Sequence, residues 1–578
     1  MRNQEVAKIF NDIADILEIR GDNPFRIRAY RRAAQNIDGL VTDVAGMSVG
    51  DLQKIPGIGA DLAGKIHEYV QAGSMEFHEE LKKEVPSGLV DLLSVPGLGP
   101  KTAKLLFDKL KIKDIDDLER QAKGGRLKGL PGIQAKTEEN ILKGIAMIKR
   151  HTGRFSIGRM KPLADEIMEK LRKGAPVKEL TVAGSLRRRK ETIKDIDILA
   201  TSRDAQKVMS VLVHLPEVKE VLMKGPTKSS VITNEGIQVD LRVVSEDSFG
   251  AALAYFTGSK EHNIRLREMA VRKGLKINEY GIFDVTTEKK LGGKLETDTY
   301  RILGMPFIAP ELREDTGEIE AALEDRLPEL IDMKDIKGDL HVHSNDSDGS
   351  HNIQELIEAA SSRGYKYIAI TDHSKGLAVA HGLSIERILV QNKKIREINK
   401  HMKGFKLLSG TEMDIRSDGT LDYPDEVLKQ LDIVIASIHS GFRQPKEQIT
   451  KRLISAMKNP YVSVIAHPTG RLIGERDAYE VDMEEVLKTA KQTGTSIEIN
   501  AYPLRLDLND MYVRKAKEMG VSFAINTDAH INYQFDFMNY GVGTARRGWL
   551  EKGYVLNTCT YDMLMKRINL KRTAETQR

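Results

Sequence analysis

Between Val6 and Leu17 apolar residues recur every three to four positions, the spacing that gathers them on one face of a helix. That spacing returns through about residue 150, interrupted by three related turns: Ile55-Pro-Gly-Ile-Gly59, Val95-Pro-Gly-Leu-Gly99 and Leu130-Pro-Gly-Ile-Gln134. The pattern predicts an all-helical region that uses one turn repeatedly, and not a solenoid, because the segments between the turns are otherwise unlike. From 151 to 245 the pattern is mixed α/β. Strand-like runs such as Asp195 to Leu199 and Ile237 to Val244 alternate with helical stretches, and 246 to 315 reads as a small α+β piece. An acidic, uneven segment at 314–336 marks the main boundary. Beyond it come seven short apolar runs that each end in polar residues: DLHVH, YIAITDH, KLLSGTE, IVIASIH, VSVIAH, SIEIN and VSFAINTDAH. Helical segments separate most of them, which is the βα rhythm of a parallel barrel whose site gathers at the C-terminal ends of its strands.

Composition narrows the class without naming a function. With 578 residues there is room for about four units of ~150 residues, each able to bury a core. A hydrophobic share of 40% and a charged share of 30% are ordinary for a folded, soluble protein. The net charge of +5 is mild, but Arg26, Arg28, Arg31 and Arg32 crowd one stretch, and Arg187, Arg188, Arg189 and Lys190 another. A single cysteine, Cys559, excludes an internal disulfide framework and a cysteine-rich zinc finger. The amphipathic, acidic N-terminus is unlike a signal peptide, and no apolar run approaches the ~20 residues of a membrane span. The expected location is cytoplasmic.

Three groups of residues carry chemistry. The Pro-Gly turns open helices whose first N–H groups are free, and glycines let a phosphate approach without reading base sequence. Gly57, Gly59, Gly97 and Gly99 are the expected DNA contacts; Gln134 replaces the second glycine of the third turn, which gets no phosphate role. On a strand, Asp195 and Asp197 share one face while Ile196 and Ile198 pack behind it. Side-by-side carboxylates repel unless a cation joins them, and Asp240 in a similar run can lie alongside. Such a trio can hold two Mg²⁺ (or Mn²⁺) ions, with Ser185 and Arg188 placed for a triphosphate. Nine of the fourteen histidines follow residue 338, most at the ends of the apolar runs. With Asp348, Glu412 and Asp528 they form a mixed imidazole–carboxylate set suited to two or three Mn²⁺, Zn²⁺ or Fe²⁺ ions.

Residues 1 to about 315 resemble a family X DNA polymerase, on Gly184-Ser185-Leu-Arg-Arg188, Asp195/Asp197, Asp240 and Tyr255-Phe256-Thr-Gly258-Ser259. The resemblance implies that Gly184, Ser185, Arg188, Tyr255, Phe256, Gly258, Asn263 and Arg267 meet the nucleotide or template, and that the three aspartates are catalytic. Lys260 stands where the best-known animal members carry an acid, a departure that bears on base-stacking contacts and fidelity. Asn278-Glu-Tyr280 and Leu303 to Arg313 resemble the thumb. Lys65 occupies the Schiff-base position of members with deoxyribose-phosphate lyase activity; the plainer reading is a lysine touching the DNA backbone. Residues 338–570 resemble the PHP (polymerase and histidinol phosphatase) domain. By that resemblance His341, His343, Asp348, His373, Glu412, His439, His467, Asp528 and His530 are the metal ligands, with His381 touching substrate and Lys375 and Arg505 contacting phosphate.

Together the chain resembles the bacterial and archaeal family X polymerases with a fused PHP domain. The implied domains are a helical helix-hairpin-helix, lyase-like domain (1–82), helical fingers with a second such motif (83–150), and an α+β nucleotidyltransferase palm (151–245). A thumb (246–315), a linker (316–337) and an α/β PHP barrel, a distorted seven-stranded relative of the TIM barrel, complete the chain. The implied activity is gap filling with dNTPs at a 3′-OH, coupled to metal-dependent trimming or unblocking of 3′ ends or cleavage at abasic sites. Expected partners are gapped or nicked DNA and other base excision repair enzymes, with the protein a monomer. The alternative is a DNA-end-binding protein carrying a small-molecule phosphatase.

Overall fold

The computed structural model describes residues 2–38, 44–55, 57–84, 89, 92, 95, 98–131, 133, 137–139, 141–142, 144–145 and 153–576. It falls into two units, residues 1–152 with 474–477, and residues 153–473 with 478–578.

In the first unit every described element is helical, as the periodicity predicts. Helices Arg2–Arg20 and Pro24–Asp38 pack around Phe10, Ile13, Leu17, Tyr30 and Ile37. Helices Ala60–Ala72 and Pro100–Leu110 follow the first two Pro-Gly turns. Each starts at a glycine N-cap, Gly59 and Gly99, that offers no side-chain acceptor, so the first-turn amides keep no side-chain cap. Gly57 has φ +78°, where a side chain would be strained.

The second unit begins with a five-stranded sheet. Its strands are β2 (Val177–Val182), β4 (Asp195–Ser202), β5 (Val218–Lys224), β6 (Lys228–Thr233) and β7 (Gln238–Val243), in the order β2-β4-β7-β6-β5. A small antiparallel pair, β1 (Phe155–Ser156) with β3 (Thr192–Ile193), lies beside helix Ile157–Gly174. Strands β4 and β7 run parallel with Asp197 directly opposite Asp240. Ile196 and Ile198 are buried with Met160, Ile167, Val239 and Leu241, while the aspartates between them stay partly accessible. The alternation along β4 therefore sorts apolar residues into a core and acids onto the open face. A three-stranded antiparallel sheet follows, β8 (Leu275–Asn278), β9 (Gly281–Asp284) and β10 (Lys290–Gly292), with helix Lys260–Arg272 and a core around Leu266, Tyr300 and Ile308.

Residues 316–337, expected as a linker, are ordered. They carry helix Glu318–Leu323, and Ile331 and Ile336 are buried in the next core. Seven parallel strands then pair in sequence order: β11 (Gly338–Val342), β12 (Tyr367–Ile370), β13 (Lys406–Asp414), β14 (Ile433–Ser437), β15 (Val464–Ile465), β16 (Ser496–Asn500) and β17 (Phe523–Asn526). A parallel bridge between Val342 and Ala529 nearly closes the barrel. Ile368, Ile370, Val434 and Ala436 face the surrounding helices. Tyr367, Ala369, Ile433 and Ile435 face the interior, capped by Leu564 and Ile568 of helix Tyr561–Thr576. The barrel also reaches into its neighbours: Leu506 is buried in the core of the five-stranded sheet and Trp549 in the core beside the three-stranded sheet.

Candidate active sites

The first site lies over the C-terminal side of the β2–β4 connection. Gly184 has φ +58°, and a Cβ there would come 2.3 Å from Asp197 Oδ2, so only glycine lets the short helix Gly184–Arg187 sit this close to the acids. Gly184, Ser185, Arg188, Asp195, Asp197, Tyr255, Phe256, Gly258, Asn263 and Arg267 line one cleft of about 620 Å³. Ten of the residues expected at the nucleotide site are thereby brought together, with Asp240 beside Asp197 in the sheet. Burial, then Asp195 and Asp240, push the Asp197 carboxyl up to about 7. The buried Ser185 Oγ makes no hydrogen bond among the described residues. Arg188 donates Nε to Glu314 Oε1 at 3.1 Å and Nη1 to the Thr257 carbonyl. Asn263 Nδ2 donates to the Tyr255 carbonyl at 2.7 Å, and Arg267 Nε to the Asn263 carbonyl at 3.2 Å. Lys260 is exposed at the cleft rim. The sequence reading missed Arg154, Lys194 and Glu314, which also line the cleft, as does Lys190 of the basic cluster.

The second site crowns the barrel. His341 and His343 leave the end of β11, His373 follows β12, Glu412 stands in β13, His439 follows β14, His467 follows β15, and Asp528 and His530 follow β17. Eight of the nine expected ligands fall into three groups whose ligand atoms lie within 4.8 Å of one another: His343/Asp348/His373/His530, His341/His343/Glu412/Asp528 and His373/Glu412/His439. The ninth, His467, meets Glu412 Oε1 through Nε2 at 2.9 Å. Among the described residues the palm trio does not reach that spacing. His467 (φ +26°) and Asp528 (φ +55°) both hold left-handed backbone, strain of the kind that collects at functional sites.

Electrostatics here follow from burial and from imidazoles facing carboxylates. Burial and the imidazoles of His530 and His373 push His343 down to about 3. Burial opposes charge on His373 too, but Glu412 and Asp348 raise it to about 10. Burial also works against the Glu412 and Asp528 carboxylates, yet the surrounding histidines hold both well below the carboxylate range. Buried nitrogens His341 Nε2, His343 Nδ1 and Nε2, His373 Nδ1 and His467 Nδ1 make no hydrogen bond among the described residues. Imidazole nitrogens left that way inside a core are costly unless something else binds them, so the donor set fits divalent cations.

A supporting layer was not foreseen. Glu498, fully buried, pairs Oε1 with His341 Nδ1 at 2.8 Å and accepts the His467 N–H at 2.7 Å on Oε2. Asn500 Nδ2 donates to Asp528 Oδ2 at 3.1 Å, and Asp414 faces His439 Nδ1 at 3.5 Å. Asp372 is buried under three donors from Ser344 and Ser347 and one from Gln391, so it holds the loop that carries Asp348. Arg505 Nε stands 3.6 Å from Asp528 Oδ2, whereas Lys375 and His381 are exposed.

In the first unit Lys65 Nζ is paired with Asp61 and lies 5.2 Å from the Phe77 ring centre. Gly97 lies outside the described residues, as does Gln134.

Comparison with known proteins follows the same division. The helix-hairpin-helix domain family matches residues 1–75 and the SAM-like helix-hairpin-helix tandem matches 89–146. The DNA polymerase beta thumb matches 252–314, and the PHP domain 339–502. A DNA polymerase/3′-5′ exonuclease PolX of Bacillus subtilis (strain 168) is 43% identical over 560 residues, 96% of this chain and 97% of that protein. Probable phosphatases of Thermoanaerobacter sp. (strain X514) and Caldanaerobacter subterraneus subsp. tengcongensis are 33% and 35% identical, each over 38% of this chain and 89% and 86% of theirs. With a relative at that identity spanning nearly the whole of both chains, this protein belongs to the PolX family, the family X polymerases that carry a PHP domain.

Proposed function

We propose that this protein fills short DNA gaps with dNTPs and that its barrel processes 3′ ends as a 3′-5′ exonuclease or phosphoesterase. The observation that carries the reading is one chain bearing both an acid trio beside a serine whose Oγ has no hydrogen bond and a shell of histidines with unbonded ring nitrogens, among the described residues. In this reading residues 151–245 form the palm and 246–315 the thumb. Asp195, Asp197 and Asp240 would hold Mg²⁺ or Mn²⁺, which supplies charge neutralisation for the primer hydroxyl and the leaving pyrophosphate. A cation fits there because ionised Asp197 is opposed by burial and by both neighbours. Ser185 Oγ donates to the triphosphate, Arg188 neutralises it, and Tyr255 and Phe256 lie against the sugar. Asn263 and Arg267 face the base pair.

In the barrel the nine ligands would hold two or three Mn²⁺, Zn²⁺ or Fe²⁺ ions, which supply a Lewis acid for water and phosphate. Glu498 fixes the His341 tautomer through Nδ1, leaving Nε2 to face the metal space. Arg505 offers a cation to a phosphate oxygen beside Asp528. Gly57, Gly59 and Gly99 cradle DNA phosphates, with Gly97 expected in the same role. A monomer working in the cytoplasm beside other base excision repair enzymes completes the proposal.

A 5′-labelled primer on a one-nucleotide gap tests both heads. Asp195→Ala/Asp197→Ala should lose extension and keep trimming; His341→Ala/His343→Ala should do the reverse. Wild type without extension would refute the polymerase, leaving a DNA-end-binding protein. Hydrolysis of histidinol phosphate in preference to a 3′-phosphorylated primer would refute the DNA role of the barrel.

A further inference from the structure

The turn after helix Gly184–Arg187 is held from outside the palm. Arg189 has φ +55°, and its side chain lies so close to the barrel helix Met538–Arg547 that a Cβ on Gly543 would come 2.7 Å from its Cδ. Arg189 Nη1 donates to the Asn539 carbonyl at 3.0 Å. At the end of that helix, Arg547 is buried. Its Nη1 donates to the Arg188 carbonyl at 2.8 Å and to Glu314 Oε1 at 2.8 Å. Its other edge is clamped by Asp510 Oδ2, 2.8 Å from Nε and 2.6 Å from Nη2. Glu314 Oε1 is the same atom that accepts from Arg188 Nε.

Two cavities meet at this point. Glu314 and Lys190 line both the nucleotide cleft and a second cavity of about 720 Å³ between palm, thumb and barrel. Arg188 lines the first and Arg547 the second. Arg547 is thus on the far side of Glu314 from the nucleotide, touching the residue that faces it.

We propose that Arg547, though it belongs to the barrel, is a positioning residue for nucleotidyl transfer: through Glu314 and the Arg188 carbonyl it sets how Arg188 presents its guanidinium to the triphosphate. The inference rests on the reading that Arg188 binds the triphosphate. With Arg547 in place, Glu314 shares its charge among Arg188, Arg547 and Lys190, whose Nζ lies 3.4 Å from Oε2, and Arg188 keeps donors for phosphate. Without it, Glu314 Oε1 is left to Arg188 alone while Oε2 keeps Lys190, and the Arg188 carbonyl loses its buried donor. The same contact makes the PHP domain a structural part of the polymerase site.

The test is steady-state incorporation into a one-nucleotide gap with Mg²⁺, using the full chain and the variants Arg188→Ala, Arg547→Met, Arg547→Lys, Asp510→Asn and Arg188→Ala/Arg547→Met. Arg188→Ala should raise the dNTP KM about tenfold, the loss of one charge-assisted contact. Arg547→Met should raise it by roughly three- to tenfold on the same grounds, with kcat within about twofold and 3′-5′ exonuclease activity unchanged. Arg547→Lys and Asp510→Asn should fall between wild type and Arg547→Met, and they read the effect if the methionine variant does not fold. Adding Arg547→Met to Arg188→Ala should raise KM no further, because Arg547 acts through Arg188. An unchanged KM in Arg547→Met while Arg188→Ala is impaired would sink the coupling. So would multiplicative effects in the double variant, or parallel loss of both activities. A normal KM in Arg188→Ala would instead sink the underlying nucleotide reading.

Discussion

At pH 8 and without metal, Asp197 carries a charge that its surroundings oppose. Burial, then Asp195 and Asp240, raise its folded pKa to about 7, above the ordinary carboxylate value. A carboxyl raised in this way costs nothing while protonated, begins to destabilise as pH climbs past about 4, and exerts its full cost above about 7. Asp197→Asn should therefore be more stable than wild type at pH 8 and equal to it near pH 4. The gap is on the order of a few kcal/mol, a tenfold change in proton affinity being worth about 1.4 kcal/mol. Urea denaturation of the chelator-treated protein at both pH values measures it, and Mg²⁺ should narrow the gap at pH 8. A gap of the same size at both pH values would mean that neither burial nor the neighbouring acids oppose ionisation of Asp197. In the barrel, Glu498→Gln keeps the shape but weakens the hold on His341 Nδ1, and should lower Mn²⁺ affinity by roughly 10- to 100-fold in a calorimetric titration. Unchanged affinity would make Glu498 a bystander.

One step up, the segment Arg505-Leu506 belongs to two elements at once. Arg505 reaches the ligand Asp528, while Leu506 at φ +41° is buried in the palm core with Ile157, Met160 and Ile193. Arg471 binds both carbonyls of this loop and reaches Glu191 of the palm at 2.7 Å. Leu506→Ala should thus cost about 2–5 kcal/mol in stability, as truncated core leucines do, and also raise the KM of the exonuclease for DNA. Thermal unfolding together with initial rates would separate these; a stability loss with an unaltered KM would confine Leu506 to packing. At this scale the chain was readable where function imposes a local pattern. The residues expected as metal ligands stand out because ionisable residues mostly at the ends of apolar runs are unexplained by packing, and Asp195/Asp197 because they interrupt a buried strand on one face. Glu498 lay hidden inside SIEIN, its partner His341 being 157 positions away. Glu314 and Arg547, 233 positions apart, carry no local sign of each other. What escaped the sequence is contact between distant elements, which no periodicity encodes.

Across the whole molecule, the single tryptophan offers a probe of how thumb and barrel hold together. Trp549 follows the barrel helix that ends at Arg547, yet it is buried among Leu266 and Tyr300 of the thumb and Ile319 just beyond it, with Arg514 stacked 3.6 Å over its ring. Arg546 adds donors to Glu311 at 2.7 Å and to the Ile331 carbonyl at 2.9 Å. A core shared in this way lets a ligand of one domain stabilise the other. Ions bound only by the folded barrel add about 2.7 kcal/mol when free metal is roughly 100-fold above Kd. Mn²⁺ should accordingly raise the Tm read from Trp549 fluorescence by a few degrees, and dNTP incorporation should survive heating to the same higher temperature. His341→Ala/His343→Ala should abolish both shifts. If Trp549 became exposed at a temperature indifferent to Mn²⁺, the thumb would be parting from an intact barrel. The two active sites would then share a chain but not a core.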